Sequence, residues 1–252
     1  MLTHRGDAGA AVKVQYFGDV NDYRKFALLR LLSRVGQFKI GVCWMLTEPD
    51  DSKEGGNRKY LEQAAKWCAY DPALFDALAK VPASPQLSDL QRIEADGIVP
   101  DATFFNEFTP DKLSERQAFH TRCMDAFADR DLVFFDPDNG LDVPSLSKGR
   151  KRSSKYVFLD EVADHYAAGR SVLVYQHLGR KLPRKTFVEQ KAAKLWGVLP
   201  GASMLAFDTA HVVFLLAARP EHAKRVVAAA AELQRDGSPL KSFLPVIPID
   251  SV

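Results

Sequence analysis

The chain has 252 residues, 46% hydrophobic and 26% charged, which suits one α/β domain with a substantial core. A formal net charge of +2 hides an uneven distribution, with locally basic loops on a nearly neutral body, and no apolar run reaches the eighteen or so residues of a membrane span. The N-terminal "MLTHRGDAGAAVKVQYFGD" lacks the apolar segment of a signal peptide, and Cys43, Cys68 and Cys123 form no CxxC pair. A reducing, cytoplasmic setting with no membrane partner, no disulfide framework and no structural zinc is expected.

In chain order, "DVNDYRKFALLRLLSRVG" predicts a helix, with Phe26, Leu28, Leu29, Leu32 and Val35 near helical spacing and Gly36 as its stop. "FKIGVCWML" (38–46) predicts a strand buried on both faces, followed by the polar loop "TEPDDSKEGGNRK". Residues 58–80 predict helix broken near Asp71-Pro72, and the Pro- and Gly-punctuated stretch that follows completes an irregular excursion at about 58–103. "ATFFNEF" predicts a short strand, and Thr109 and Pro110 predict the cap and first position of a long helix.

"DLVFFD" predicts the next strand, followed by an acidic loop, a basic linker and the helix "KYVFLDEVADHYAAG", closed by Gly169. The strand "SVLVYQH", a second basic loop and the helix "PRKTFVEQKAAKLWG" come next. Two apolar runs joined at Asp208-Thr209 predict a hairpin, "PEHAKRVVAAAAELQRDG" predicts a last helix, and the tail is extended. Alternating strands and helices imply a single α/β domain over 1–252, a Rossmann-like three-layer sandwich. Its sheet is expected to be mainly parallel, with an antiparallel hairpin near the C-terminus.

Open parallel sheets bind ligands beyond the carboxyl ends of their strands. Three such ends are chemically distinctive: "DPDNGLD" with Asp136, Asp138, Asn139 and Asp142; "YQHLGR" with Gln176 and His177; and the loop after Leu46 with Glu48, Asp50, Asp51, Gly55 and Gly56. Each is by itself an ordinary solvated turn, and Asp-Pro and Asn-Gly are common turn formers. The helix start contributes Asp19, Asn21, Asp22, Tyr23, Arg24 and Lys25, with Asp19 or Asn21 as N-cap in the plainer reading. Two basic runs flank the acids, with Arg150, Lys151, Arg152 and Lys155 in the first and Arg180, Lys181 and Arg184 in the second. Such runs suit nucleic-acid phosphates, whereas Trp67, Cys68 and Cys123 read as core.

The order helix "NDYRKFALLRLL", buried strand, helical excursion, and apolar strand ending in Asp-Pro resembles the Rossmann methyltransferases that modify adenine N6 in ribosomal RNA. Three-Cys-motif partner proteins are similar in layout. Asp136-Pro137 match the methyltransferase motif Asp/Asn-Pro-Pro-aromatic, but Asp138-Asn139 replace its second half. The glycine turn such enzymes use to approach the cofactor is missing directly after the first strand. "Asp-Pro" with a His on the next strand is loosely similar to the uracil-type DNA glycosylases. The whole resembles the bacterial anti-phage (Brig-type) glycosylases, which implies excision of modified bases and a role in phage defence.

The expected activity is therefore a hydrolase: a DNA glycosylase that cleaves an N-glycosidic bond in DNA, modified bases included, without cofactor. Asp136 or Asp138 would activate water or stabilise the sugar cation, His177 would assist base departure, and Asn139 and Gln176 would read the extruded base. Asp19, Asn21, Tyr23 and Asp142 would complete the substrate pocket. Arg150, Lys151, Arg152, Lys155, Arg180, Lys181 and Arg184 would contact phosphates. One alternative is an S-adenosylmethionine-dependent N6-adenine-type methyltransferase with a divergent cofactor loop. Others are a Mg²⁺-dependent nuclease built on the acids, or a nucleic-acid-binding domain without catalysis.

Overall fold

The computed structural model describes residues 17–48, 56–179 and 181–249. Short apolar runs form the middle of a seven-stranded sheet: β1 (Ile40–Cys43), β2 (Thr103–Phe105), β3 (Leu132–Phe135), β6 (Ser171–His177), β7 (Ser203–Asp208), β8 (Val212–Ala218) and β9 (Val246–Ile249). Two residues each of β4 (Gly140–Leu141) and β5 (Tyr156–Val157) form a separate small parallel sheet.

Every residue of β1, β3 and β8 is buried, so each strand feeds two cores. Leu132, Phe134, Leu173, Tyr175, Phe214 and Leu216 face one core with α1 (Val20–Arg34), α3 (Pro72–Ala79), α4 (Leu87–Ala95) and α8 (Ala223–Gln234). Val133, Phe135, Val172, Val174, Val213 and Leu215 face the other with α5 (Leu113–Ala126), α6 (Leu159–Ala167) and α7 (Arg184–Trp196). Each such side chain contributes roughly 1.5–3 kcal/mol of burial. The result is an α/β sandwich with helices on both faces. The short α2 (Ala64–Trp67) and α9 (Leu240–Phe243) flank the first core, and no helix among the described residues is long and apolar enough to cross a membrane.

The strand order is β2-β1-β3-β6-β8-β7-β9. The pairs β1/β2, β1/β3 and β3/β6 are parallel, whereas β6/β8, β7/β8 and β7/β9 are antiparallel. The sheet is thus mixed half and half, which corrects the expectation of a mainly parallel one. The difference arises because β8 pairs with β6 as well as with β7, and because the tail forms β9 on the outer edge.

Local signals were overridden in two further places. Thr109 and Pro110 do not open α5. The Thr109 N–H donates to the Leu46 carbonyl at 2.8 Å, keeping the chain beside the extension of β1, and the helix begins at Leu113. Tyr156 and Val157 pair with the acidic loop as β5, so α6 starts only at Leu159. Within the excursion, α4 is an ordinary helix whose Asp89 accepts the Gln86 N–H at 2.8 Å.

Candidate active site

After β1 the chain crosses to β2 on one side, then returns to β3 on the other. The carboxyl ends of β1 and β3 therefore bound the crevice at a topological switch point. The Asp136 N–H donates to the Cys43 carbonyl at 3.0 Å, and Thr47 Oγ1 donates to Asp138 Oδ2 at 3.1 Å, so both carboxylates stand at this crevice.

The first turn of α1 closes it from one face. Asp19 caps the helix, its Oδ1 accepting the N–H groups of Asn21 at 2.7 Å and Asp22 at 2.9 Å. Asp22 Oδ2 accepts the Gly18 N–H at 2.8 Å. Three residues further, Lys25 sends its Nζ between Asp22 Oδ1 and Asp136 Oδ2, at 2.6 Å from each. The rings of Trp44 and Tyr175 flank this ammonium, each centroid 5.3 Å from Nζ. Only 8% of the Lys25 side chain is exposed, so its charge is neutralised by these partners and not by water.

Asp19, Asp22 and Asp136 thus gather around one buried cation, and the surplus of negative charge shows in the titration of Asp19 and Asp136. Burial pushes Asp136 up to about 6, with Asp22 adding to the rise and Lys25 opposing it. Burial and Asp22 push Asp19 up to about 7 against its two capping hydrogen bonds and Lys25. Burial alone would lower Lys25, but Asp136 and Asp22 more than offset it and hold the ammonium protonated. Burial raises the Tyr175 phenol well above its ordinary value, and Asp136, Asp19, Asp22 and Asp138 each add to the rise. Neighbouring carboxyls driven toward neutrality at a cleft are a feature of proton-handling sites.

Asp138 differs from Asp136. Its side chain is 21% exposed at the mouth of the crevice, 3.4 Å from Lys155 Nζ. His177 is exposed beside it. Its N–H donates to the Asn139 carbonyl at 3.3 Å, and its ring meets Tyr175 edge-on at 5.1 Å.

Several expected site residues are committed elsewhere. The Gln176 amide is engaged within the chain: its Nε2 donates to the Asn139 carbonyl at 3.0 Å and to the His177 carbonyl at 2.8 Å, and its Oε1 accepts the Leu141 N–H at 2.9 Å. It is a 3%-exposed lock on the acidic loop. Gly140, at φ 118, is required there because a Cβ would lie 2.4 Å from the Gln176 amide. Asp142 leaves the crevice with the turn into the small sheet, where its N–H bonds to the Val157 carbonyl and its own carbonyl accepts from Lys194. Tyr23 is wholly buried on the opposite side of α1, its hydroxyl donating to the Trp67 carbonyl at 2.7 Å. Asn21 is half-buried, with Oδ1 unpartnered among the described residues.

The basic runs divide in the same way. Arg150, Lys151 and Arg152 are exposed on a loop pinned by Asp111, which accepts the N–H groups of Arg152 and Ser154 at 2.7 Å each. Lys181 is exposed on the loop after β6. These four form no ion pair among the described residues; the first three lie between β4 and β5, and Lys181 follows β6. Lys155 turns inward to Asp138. Arg184 is consumed by the β7–β8 turn, donating to Asp208 and to the Thr209 and Ala210 carbonyls. Arg180, Asp50, Asp51 and Gly55 lie outside the described residues.

Lys25, named in the helix start but given no role there, is the residue that the fold places between Asp22 and Asp136. Its signal was present: a lysine three residues after Asp22, on the flank of an apolar helix beside Phe26, Leu28 and Leu29. Thr47 and Tyr175 carried no comparable signal, because only the fold brings them to the acids.

Among the described residues no group of three or more His, Cys, Asp or Glu is arranged to hold a metal ion. Comparisons of the chain with protein-family models, with curated proteins and with solved structures find no match.

Proposed function

We propose that the chain is a nucleic-acid-directed hydrolase on a Rossmann-like frame, a DNA glycosylase that excises a base, modified bases included, by hydrolysing the N-glycosidic bond. The observation that carries the reading is the pair of consecutive-turn carboxylates in unlike environments. Asp136 is buried against Lys25 and raised to about 6, whereas Asp138 stands at the mouth beside Thr47. Departure of a base builds positive charge on the sugar, and a cleft whose carboxylates outnumber its cation stabilises that charge. Asp138, the more exposed acid, orients and deprotonates the water. Asp136 and Lys25 fix the loop and set the field behind it. Asn139 and His177, side by side at the rim, meet the base. Arg150, Lys151, Arg152 and Lys181 supply the phosphate contacts, and a duplex target is flipped to reach the acids. A place in defence against phage DNA follows from the resemblance to Brig-type glycosylases alone.

The position of Asp136-Pro137, on the strand beside β1, favours methyl transfer as the second reading. The residues after β1 do not fit the cofactor loop of that family. Trp44 packs between Phe26 and Phe104, and Met45, not a glycine, takes φ 48. No step is therefore assigned to S-adenosylmethionine.

The decisive experiment is mass spectrometry on plain DNA, DNA with modified cytosines and ribosomal RNA incubated with the protein, with and without S-adenosylmethionine. Cofactor-independent release of a free base with matching abasic sites is expected. Asp138→Asn and Asp136→Asn should lose that release while retaining DNA binding. Methyl gain on an intact base that requires the cofactor would replace this reading with the second.

A further inference from the structure

A cleft of about 250 Å³ opens between the first turns of α1, the segment Asn57–Trp67 and the turn at Ala210 and His211. It lies on another stripe of α1 from the acids. Val20 and Arg24, four residues apart, line it, whereas Asp22 and Lys25 face Asp136. It opens at the same end of the sheet as the acids, because the Leu178 N–H, one residue past His177, donates to the His211 carbonyl at 3.3 Å.

The lining is cationic and aromatic. Arg24 and Lys59 contribute two positive charges, Tyr60 and Trp67 contribute rings, and no carboxylate lines the cleft among the described residues. The Arg24 guanidinium is held 5.8 Å from the Trp67 ring and 5.5 Å from the Phe243 ring, so it is in place before any ligand arrives. Two donors on these lining residues, Arg24 Nε and Trp67 Nε1, are buried with no hydrogen-bond partner among the described residues. Buried donors are nearly always paired, and two unpaired ones in a basic, carboxylate-free cleft call for an anionic acceptor with a flat face.

We propose that this cleft holds one nucleotide, its phosphate on Arg24 and Lys59 and its base against the Tyr60–Trp67 wall, and that in use the nucleotide belongs to the strand engaged at Asp138. The second clause rests on the nucleic-acid reading above. The cleft is a subsite separate from the acids and from the loop at 150–152, and it sets which flank of the target the protein grips.

The test titrates the protein with a short single-stranded oligonucleotide and, separately, with a free nucleoside monophosphate, following tryptophan fluorescence and binding. Wild type, Trp67→Phe, Arg24→Gln, Lys59→Gln and an Arg150→Gln/Lys151→Gln/Arg152→Gln variant are compared. Oligonucleotide should quench wild type and not Trp67→Phe. Arg24→Gln and Lys59→Gln should each weaken binding by about 5–10-fold and lower the salt slope by about one. Lys59 is exposed, so its variant reports even if Arg24→Gln misfolds. Oligonucleotide binding that the triple variant weakens but Arg24→Gln and Lys59→Gln do not would overturn the cleft and leave the nucleic-acid reading standing. Quenching by the monophosphate with no oligonucleotide binding would keep the cleft as a nucleotide site and overturn the strand. No response to either ligand would overturn both.

Discussion

Two buried charge clusters in this protein teach different lessons. Arg116 and Glu161 join α5 to α6 with two hydrogen bonds of 2.7 Å, side chains 2% and 4% exposed. Lys148 joins them, 3.4 Å from Glu161 and 2.6 Å from Asp160, so two cations meet two anions and the cluster fixes the seam between two helices. Lys25 meets Asp22 and Asp136 at equal distance with Asp19 close behind, and the acids are left in excess. A balanced cluster is what structure alone requires. An unbalanced one at a switch point is a burden on stability that a site has reason to keep.

Lys25→Met breaks the comparison most severely. It strands two buried carboxylates and should cost about 3–5 kcal/mol at pH 8 by urea denaturation. Asp136 and Asp19 have folded pKa values near 6 and 7 against 3.8 for the ordinary carboxyl, so the folded state holds protons the unfolded chain has released. Stability from these groups therefore falls as pH rises through that window, and the Lys25→Met deficit should shrink toward pH 5 as the acids protonate. Arg116→Met should cost roughly 3 kcal/mol, softened by Lys148 at 3.4 Å from Glu161. It should leave turnover of the folded protein intact, whereas Lys25→Met should abolish it. Equal effects on turnover would erase the distinction drawn here.

Gly140→Ala is the next in size. The new methyl meets the Gln176 amide at 2.4 Å on a backbone at φ 118, so about 2 kcal/mol and the geometry of the Asp138–Asn139 loop should both be lost. Thermal melting together with base release checks this, and unchanged release would detach the loop lock from the chemistry. Asp19→Asn gives the smallest effect, in the opposite direction. Asparagine keeps the N-cap and removes the uphill ionisation, so the variant should be about 1–2 kcal/mol more stable than wild type at pH 8, a gain that shrinks as pH falls below about 7 and vanishes only near the ordinary carboxyl value of 3.8. A variant no more stable at pH 8 would mean that Asp19 ionises without strain and that the surplus is smaller than drawn.

Much of the frame was legible in the chain. Runs such as Leu132–Phe135 and Val172–Tyr175 are apolar throughout, because strands covered on both faces leave no polar side to alternate with. The acids of the "DPDNG" stretch stood out because a core has no use for them. Pairing partners were not legible. A buried apolar strand offers no mark of its neighbour's direction, so the antiparallel seam between β6 and β8 and the edge strand β9 appear only in the fold. Thr109 and Pro110 read as a helix start because capping preference is local, and the tertiary bond to Leu46 outweighed it.

The amino-acid sequence by itself determined an α/β protein with acidic and basic loops at strand ends, since composition and periodicity report directly on burial. Only the tertiary structure decided which of those polar residues work together. It turned Gln176, Tyr23, Asp142 and Arg184 to structural duties and brought Lys25, 111 residues away in the chain, into the grip of Asp136. The physical reason is that a buried ammonium needs carboxylates within hydrogen-bond reach, and that reach is set by the crossing of α1 over the sheet, a relation that no spacing along the chain records.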